Sequence, residues 1–253
     1  MIRVRRPSNG PPILKRLGQK QTALDCAAYD RCPDDYHLGK EKFPKRFYFN
    51  DKEVKDLLMK VHHNKCCYCE MKLSTRAYLQ VEHFRPKRGV RQTLGQTKDE
   101  LPGYYWLAYC WKNLLLSCFD CNSTYKNTYF PLANPTKRVR SHHHDVAGER
   151  PLFVDPASQD PRRHIRFDLH TPIGKTTQGR MTVKGLGLRR PDFMEDKLHL
   201  LKLIHTHHRI LGLTTNSENA ELQAEARQFI ESAKRPEAEF SSMVIDYVAR
   251  LDM

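Results

Sequence analysis

No run of apolar residues in this chain approaches the eighteen or so that a membrane-spanning helix requires, so no membrane partner is expected. The basic start, MIRVRRPSNGPPILKR, has no apolar segment behind it, which argues against a secretory signal and for the cytoplasm. There is no internal repeat. Acidic side chains are in short supply: 29 Asp and Glu stand against 43 Lys and Arg, a formal charge of +14. That imbalance favours a polyanionic partner, either nucleic acid or an anionic surface. The basic residues are spread through RVRR, PKRGVR, TKRVR, DPRRHIR and LGLRR, which suits a broad phosphate-facing surface better than a disordered tail. What is present is enough to fold. Of 253 residues, 39% are hydrophobic and 28% charged, consistent with one large domain or two small ones.

Eight cysteines in a cytosolic chain do not suggest a disulfide framework. Four of them form two Cys-x-x-Cys pairs, Cys66/Cys69 and Cys118/Cys121, while Cys26, Cys32, Cys67 and Cys110 show no comparable pairing. Two such pairs supply the soft thiolates of a tetrahedral structural zinc site. The 48 residues between Cys69 and Cys118 become a long loop pinned at both ends. Cys67, inside the first pair, competes for the ligand assignment.

The chain divides into an N-terminal arm with helices over 1–61, a core over 62–132 and an extension over 133–253. Residues 1–19 read as an extended, Pro-interrupted arm, 20–30 as a helix. A second helix begins near Asn50, with Val54, Leu57, Leu58 and Val61 on one stripe. YLQVEHF alternates as a strand, YYWLAYCWKN reads as a short apolar helix and LLLSC as a buried strand. NSTYKNTYF begins as a helix and must end before Pro131. In the extension, HIRFDLH is expected to turn through TPIGKTTQG and pair with RMTVKGL as a hairpin. Three helices follow, one presenting Met194, Leu198, Leu201, Ile204 and His208, and the last presenting Phe240, Met243, Val244, Tyr247, Val248 and Leu251. The fold class is α+β: a small zinc-knuckle core in a mostly helical body.

Inside the pinned loop lie Glu82 and His83. A neutral imidazole can accept a proton near physiological pH. A neighbouring carboxylate and a side-chain amide oxygen, here Glu82 and Asn122, are hard ligands suited to Mg²⁺ or Mn²⁺. A hard cation on a phosphodiester stabilises developing charge. Base, hard ligands, structural zinc and a cationic surface together describe a metal-dependent nuclease.

The stretch CCYC…VEHFRPK…WKNLLLSCFDCNSTYKN resembles the HNH, or ββα-metal, endonucleases built on a zinc knuckle. The resemblance implies His83 as general base, Glu82 and Asn122 as ligands of the catalytic ion, and Asn113 as the residue that holds the loop. Lys126, one turn after Asn122, would reach the metal shell or a phosphate. Arg85, Lys87 and Arg88 would contact phosphates. The flanking MIRVRRPSNGPPIL, NTYFPL, PLFVDP and GLGLRRPDF extend the similarity to PtuB-type HNH nucleases, which act beside an ABC-class ATPase in Septu and some retron antiphage systems. That kinship implies DNA as substrate ahead of RNA and an extension that helps dock the ATPase. An RNA-cutting effector and a non-catalytic zinc-ribbon adaptor stay open as alternatives. Two departures from the pattern stand out: Asn122 replaces the more usual His, and Glu82 the more usual Asp.

Two histidine clusters stand apart. His142, His143, His144 and Asp145 read as a solvated loop or phosphate contact ahead of a second metal site. His205, His207 and His208 have no carboxylate at helical spacing, and His208 reads as a core histidine. The aromatic cluster Tyr104, Tyr105, Trp106, Tyr109 and Trp111 reads as core.

Overall fold

A computed structural model describes residues 1–72, 79–191, 194–214 and 217–252. Tyr78 of the expected strand, and Asp192 and Phe193 ahead of the long helix, lie outside them. Among the described residues no helix is long and apolar enough to cross a membrane.

The arm has no regular secondary structure up to about residue 10, with Met1 and Val4 buried, and enters a π-type turn at Leu14–Gly18. Helix α1 (Gln19–Arg31) continues from that turn, and α2 (Pro33–His37) follows with its proline in the first turn, where the missing N–H costs nothing. Helix α3 (Lys52–Val61) starts one residue after Asp51, whose side chain accepts from Glu53 N at 2.9 Å. Its apolar stripe buries Val54 and Leu58 completely.

Strands β1 (Leu79–His83) and β2 (Leu114–Cys118) pair antiparallel, with Val81 opposite Leu116, Glu82 opposite Leu115 and His83 opposite Leu114. Alternation along β1 sends Leu79 and Val81 toward α3, into a cluster with Leu114, Leu116, Val54 and Leu58. A π-type helical segment, Asp120–Lys126, leaves β2 at once and ends at Asn127, whose φ of 45° is left-handed. The expected apolar helix over 104–113 is instead two 3₁₀ turns, Tyr105–Leu107 and Trp111–Asn113. Tyr104, Tyr105 and the pair Tyr109 and Trp111 are buried in three separate clusters, which one helical stripe cannot achieve.

The hairpin of the extension is shorter than expected. Strands β3 (Ile165–Asp168) and β4 (Thr171–Gly174) turn tightly at Leu169, with φ at 51°. The segment RMTVKG belongs to helix α4 (Thr177–Gly185), capped by Thr176 Oγ1 accepting from Gly179 N at 3.1 Å. Thr182 and Val183 are buried on α4 while Arg180 and Lys184 are exposed, so the apolar pattern has helical rather than strand period. Helices α5 (Met194–Leu211), α6 (Ser217–Lys234) and α7 (Ser241–Leu251) complete the chain. His208 on α5 is part-exposed and finds its carboxylate in tertiary structure, with Nε2 3.0 Å from Asp252 Oδ1.

One core joins knuckle and extension: Cys66, Cys69, Cys118 and Cys121 share a cluster with Phe153, Val183, Leu186, Ile204, Met243 and Val244. A buried polar lock reinforces it. Glu70, directly after Cys69, receives Ser242 N at 3.2 Å, the hydroxyls of Ser241 and Ser242, and the chain's terminal ammonium. Burial alone would push this carboxyl up; the surrounding cations and donors instead bring it to about 2.

Candidate functional site

The two knuckles converge. The sulfurs of Cys66, Cys69, Cys118 and Cys121 all lie within 4.8 Å of one another and all four residues are buried. Cys69 and Cys118 sulfurs are 3.9 Å apart, close to the edge of about 3.8 Å in a tetrahedron with ~2.3 Å zinc–sulfur bonds. Donor type, number and spacing fit a structural metal such as zinc. Cys67 does not join the set; its N–H donates to Leu116 O at 2.9 Å, tying the knuckle to β2. Arg190 sits behind the sulfurs, with Nη1 3.5 Å from Cys121 and Nη2 3.8 Å from Cys118. Burial opposes its charge but the sulfurs raise its pKa, so it is a permanent counter-charge. Gly187 makes this approach possible: its φ is 56°, and a Cβ there would run into the Tyr125 ring.

Immediately after the knuckle, β1 presents Glu82 and His83 on opposite faces. Glu82 is only 1% exposed, because Tyr68 and the 120–126 helix cover the face that alternation alone would leave polar. Its Oε1 lies 2.5 Å from Lys126 Nζ and accepts from Tyr68 OH at 3.3 Å. Lys126 is itself fully buried and also donates to His83 O at 2.9 Å. Burial raises the Glu82 carboxyl against the pull of Lys126.

His83 packs edge-on against Phe49, with ring centroids 4.7 Å apart. Its Nε2 lies 2.9 Å from Ala108 O, and its Nδ1 is 3.2 Å from Lys87 Nζ. A ring nitrogen facing a carbonyl must carry the hydrogen, so Nδ1 is the lone-pair nitrogen. Burial, then the charge of Lys87, holds this imidazole well below its usual pKa, hence neutral. Burial likewise brings Lys87 down to about 8.

Asn113 holds the β1–β2 connection. Its Oδ1 accepts from Arg85 N at 2.8 Å, and its Nδ2 donates to Arg85 O at 3.0 Å and Leu107 O at 3.2 Å. Asn122 donates from Nδ2 to Gln80 Oε1 at 2.9 Å, which leaves Oδ1 as its acceptor atom. Glu82, His83, Lys87, Arg88 and Asn122 line one open cleft of about 640 Å³. Arg85 is not part of that wall: it pairs with buried Glu149 at 3.0 Å and lies over the Phe130 ring. Lys126 is buried behind Glu82 rather than offered to the cleft.

Sequence reading missed Gln80, Lys55, Asn127 and Thr128, which also line the cleft. Gln80 was findable, two residues before Glu82 on the same strand face. Lys55 was not, since α3 reaches the cleft only through tertiary packing.

Fold and site define an α+β protein in which a buried four-cysteine knuckle braces a short two-stranded antiparallel sheet bearing a carboxylate and an imidazole. Two curated proteins, both named Septu protein PtuB, are similar to it. One, from Bacillus mycoides (strain KBAB4), is 36% identical over 165 residues, covering 64% of this chain and 55% of the relative. The other, from Bacillus thuringiensis, is 29% identical over 166 residues, 64% of this chain and 52% of the relative. Over that stretch the chain is similar to these two proteins, and it spans about half the length of each. No family model matches the chain, and no solved structure matches it.

Proposed function

We propose that this protein is a metal-dependent endonuclease of the HNH type and the nuclease component of a Septu antiphage system, acting on DNA beside an ABC-class ATPase. The observation that carries this reading is the cleft in which Glu82, His83, Asn122, Lys87 and Arg88 meet on one side of the thiolate knuckle. The Septu name of the relatives supports the defence context.

The chemistry follows from the chain's own groups. With its Nε2 hydrogen fixed on Ala108 O, His83 Nδ1 can take a proton from water as the water oxygen attacks phosphorus, the P–O bond to the leaving strand breaks, and the departing oxygen takes a proton from solvent. Lys87, at that nitrogen, would release it to meet the substrate phosphate, with exposed Arg88 as a second cation. Asn113 keeps the strand ends in register while this happens. Glu82 and Asn122 offer a carboxylate and an amide oxygen, a donor set that fits Mg²⁺ or Mn²⁺. Such an ion would supply Lewis-acid stabilisation of the pentacovalent phosphate. Burial raises the Glu82 carboxyl, and Lys126 opposes that rise in favour of the carboxylate. Zinc at the four cysteines would be structural.

The same geometry favours a second reading to be tested alongside. Both His83 nitrogens are engaged and Glu82 is ion-paired, as in a restrained enzyme or a non-catalytic adaptor. Plasmid DNA and total tRNA, each with a divalent ion, should be incubated with the chain and with His83→Ala, with and without the neighbouring ATPase. DNA nicking or linearisation that disappears in the variant is the expected result. Cleavage confined to tRNA would transfer the site to an RNA-cutting effector. Binding without cleavage of either substrate under every condition would sink the enzyme and leave the adaptor.

A further inference from the structure

The loop 141–145 and the end of α1 come together at a place that shares no residue with the knuckle or the cleft. There Asp30, His142 and His143 each point one donor atom at a common centre, all within 4.8 Å of one another. His143 Nε2 is 2.8 Å from Asp30 Oδ1, and His142 Nε2 is 3.5 Å from Asp30 Oδ2. The two carboxylate oxygens therefore address one imidazole each. The imidazoles lie side by side, with ring centroids 4.1 Å apart.

Sequence neighbours did not suggest this grouping. Asp145, the nearer carboxylate in the chain, caps its own turn by accepting from Ala147 N at 3.0 Å. The carboxylate comes instead from Asp30, 113 residues before His143. His142 is held as metal-ligating histidines usually are: its other nitrogen, Nδ1, lies 2.7 Å from Tyr105 OH, and Tyr29 and Tyr105 stand edge-on to the ring. That contact fixes the ring orientation and leaves Nε2 facing Asp30.

We propose that Asp30, His142 and His143 form a second divalent transition-metal site, taking zinc or a zinc-like ion. The chemistry decides the class. Two imidazoles and one carboxylate suit a borderline ion, whereas Mg²⁺ and Ca²⁺ prefer all-oxygen sets. With bonds of ~2.0–2.1 Å the edges of a tetrahedral site measure about 3.4 Å. The three donor atoms lie within 4.8 Å of one another, and each imidazole stands 2.8 or 3.5 Å from one carboxylate oxygen, near the scale of that edge. Asp30 and His143 are exposed, which leaves the fourth position open to water and the ion exchangeable. The ion would staple α1 to the loop through three side chains that meet at the surface.

The 253-residue chain, freed of metal and titrated with Co²⁺, tests this, because thiolate and nitrogen–oxygen sites differ in their spectra. The knuckle gives sulfur-to-cobalt charge transfer in the near ultraviolet; the proposed site gives only weak visible bands. His143→Ala and the isosteric Asp30→Asn should each bind one equivalent fewer than the unsubstituted chain, with the charge-transfer band unchanged. Both side chains are exposed, so neither change should disturb folding, unlike His142→Ala, which also loses the Tyr105 contact. Equal stoichiometry in the unsubstituted chain and both variants would overturn the proposal.

Discussion

The Lys126 ammonium lies 2.5 Å from the Glu82 carboxylate and 2.9 Å from the His83 carbonyl oxygen, so one buried cation fastens both residues of the Glu-His pair to the helix behind them. Both side chains are almost wholly buried, Glu82 at 1% and Lys126 at 0% exposure. Lys126→Met should therefore destabilise the fold by about 3–5 kcal/mol, the usual result of stranding one half of a buried pair. Glu82→Gln combined with Lys126→Met should recover much of that loss. Urea unfolding midpoints decide the matter, and an unchanged midpoint for Lys126→Met would show that the pair holds nothing.

Arg190 approaches the sulfurs of Cys121 and Cys118 from the extension, far along the chain from either knuckle. Removing it leaves the thiolate charge of the metal centre without that buried cation. Arg190→Leu should weaken zinc affinity about 10–100-fold, the typical cost of losing an outer partner of a metal ligand. Competition with a chromophoric chelator measures it. Cys118→Ser should go further and lose cooperative unfolding, since metal binding at such sites contributes on the order of 10 kcal/mol to folding.

Acid should unfold the protein through its buried histidines. His62 is 3% exposed, and neither of its ring nitrogens has a hydrogen-bond partner among the described residues. Burial, then the charge of Arg6, brings its pKa to about 3 from an ordinary 6.5. The folded state thus prefers the neutral ring, and the unfolded state binds the extra proton. The stability it contributes is intact above 6.5 and is lost as pH falls from there to about 3. The slope is about 1.4 kcal/mol per pH unit for such a group. His62→Phe should flatten the curve of unfolding free energy against pH over that window; an unaltered slope would refute the assignment.

Asn113 satisfies three backbone groups of the β1–β2 connection at once. Asn113→Ala strands buried donors and acceptors and should cost about 1–3 kcal/mol. On the proposed function, cleavage should fall more than stability predicts, because Arg85 and the end of β1 lose their register. Comparing cleavage rates at a temperature where the variant remains fully folded separates the two effects.

Much of this protein is legible in its residues. The paired Cys-x-x-Cys spacing predicts one thiolate site, and the sulfurs do converge. The 3.6-residue period of Val54, Leu58 and the C-terminal helices, and the alternation through Leu79 and Val81, mark elements that form at those places, but on α5 Leu198 is exposed and Lys197 is buried with Leu201 and Ile204. These signals are local: each depends on spacings within a few residues, which helix and strand geometry convert directly into faces. The segment after Lys175 misleads because a period over a few residues suits a strand almost as well as a helix, and the Thr176 cap decides for helix.

Other features follow only from packing. No local pattern says that Lys126 will be buried against Glu82, that Arg85 will turn from the cleft to Glu149, or that Asp30 will meet His142 and His143. Those partners come from segments tens to more than a hundred residues apart, and burial rather than sequence position sets their energies. The residues determined which chemical groups exist and which helices and strands bear them; the tertiary structure decided which groups meet, because a charge removed from water must find its partner wherever the fold supplies one.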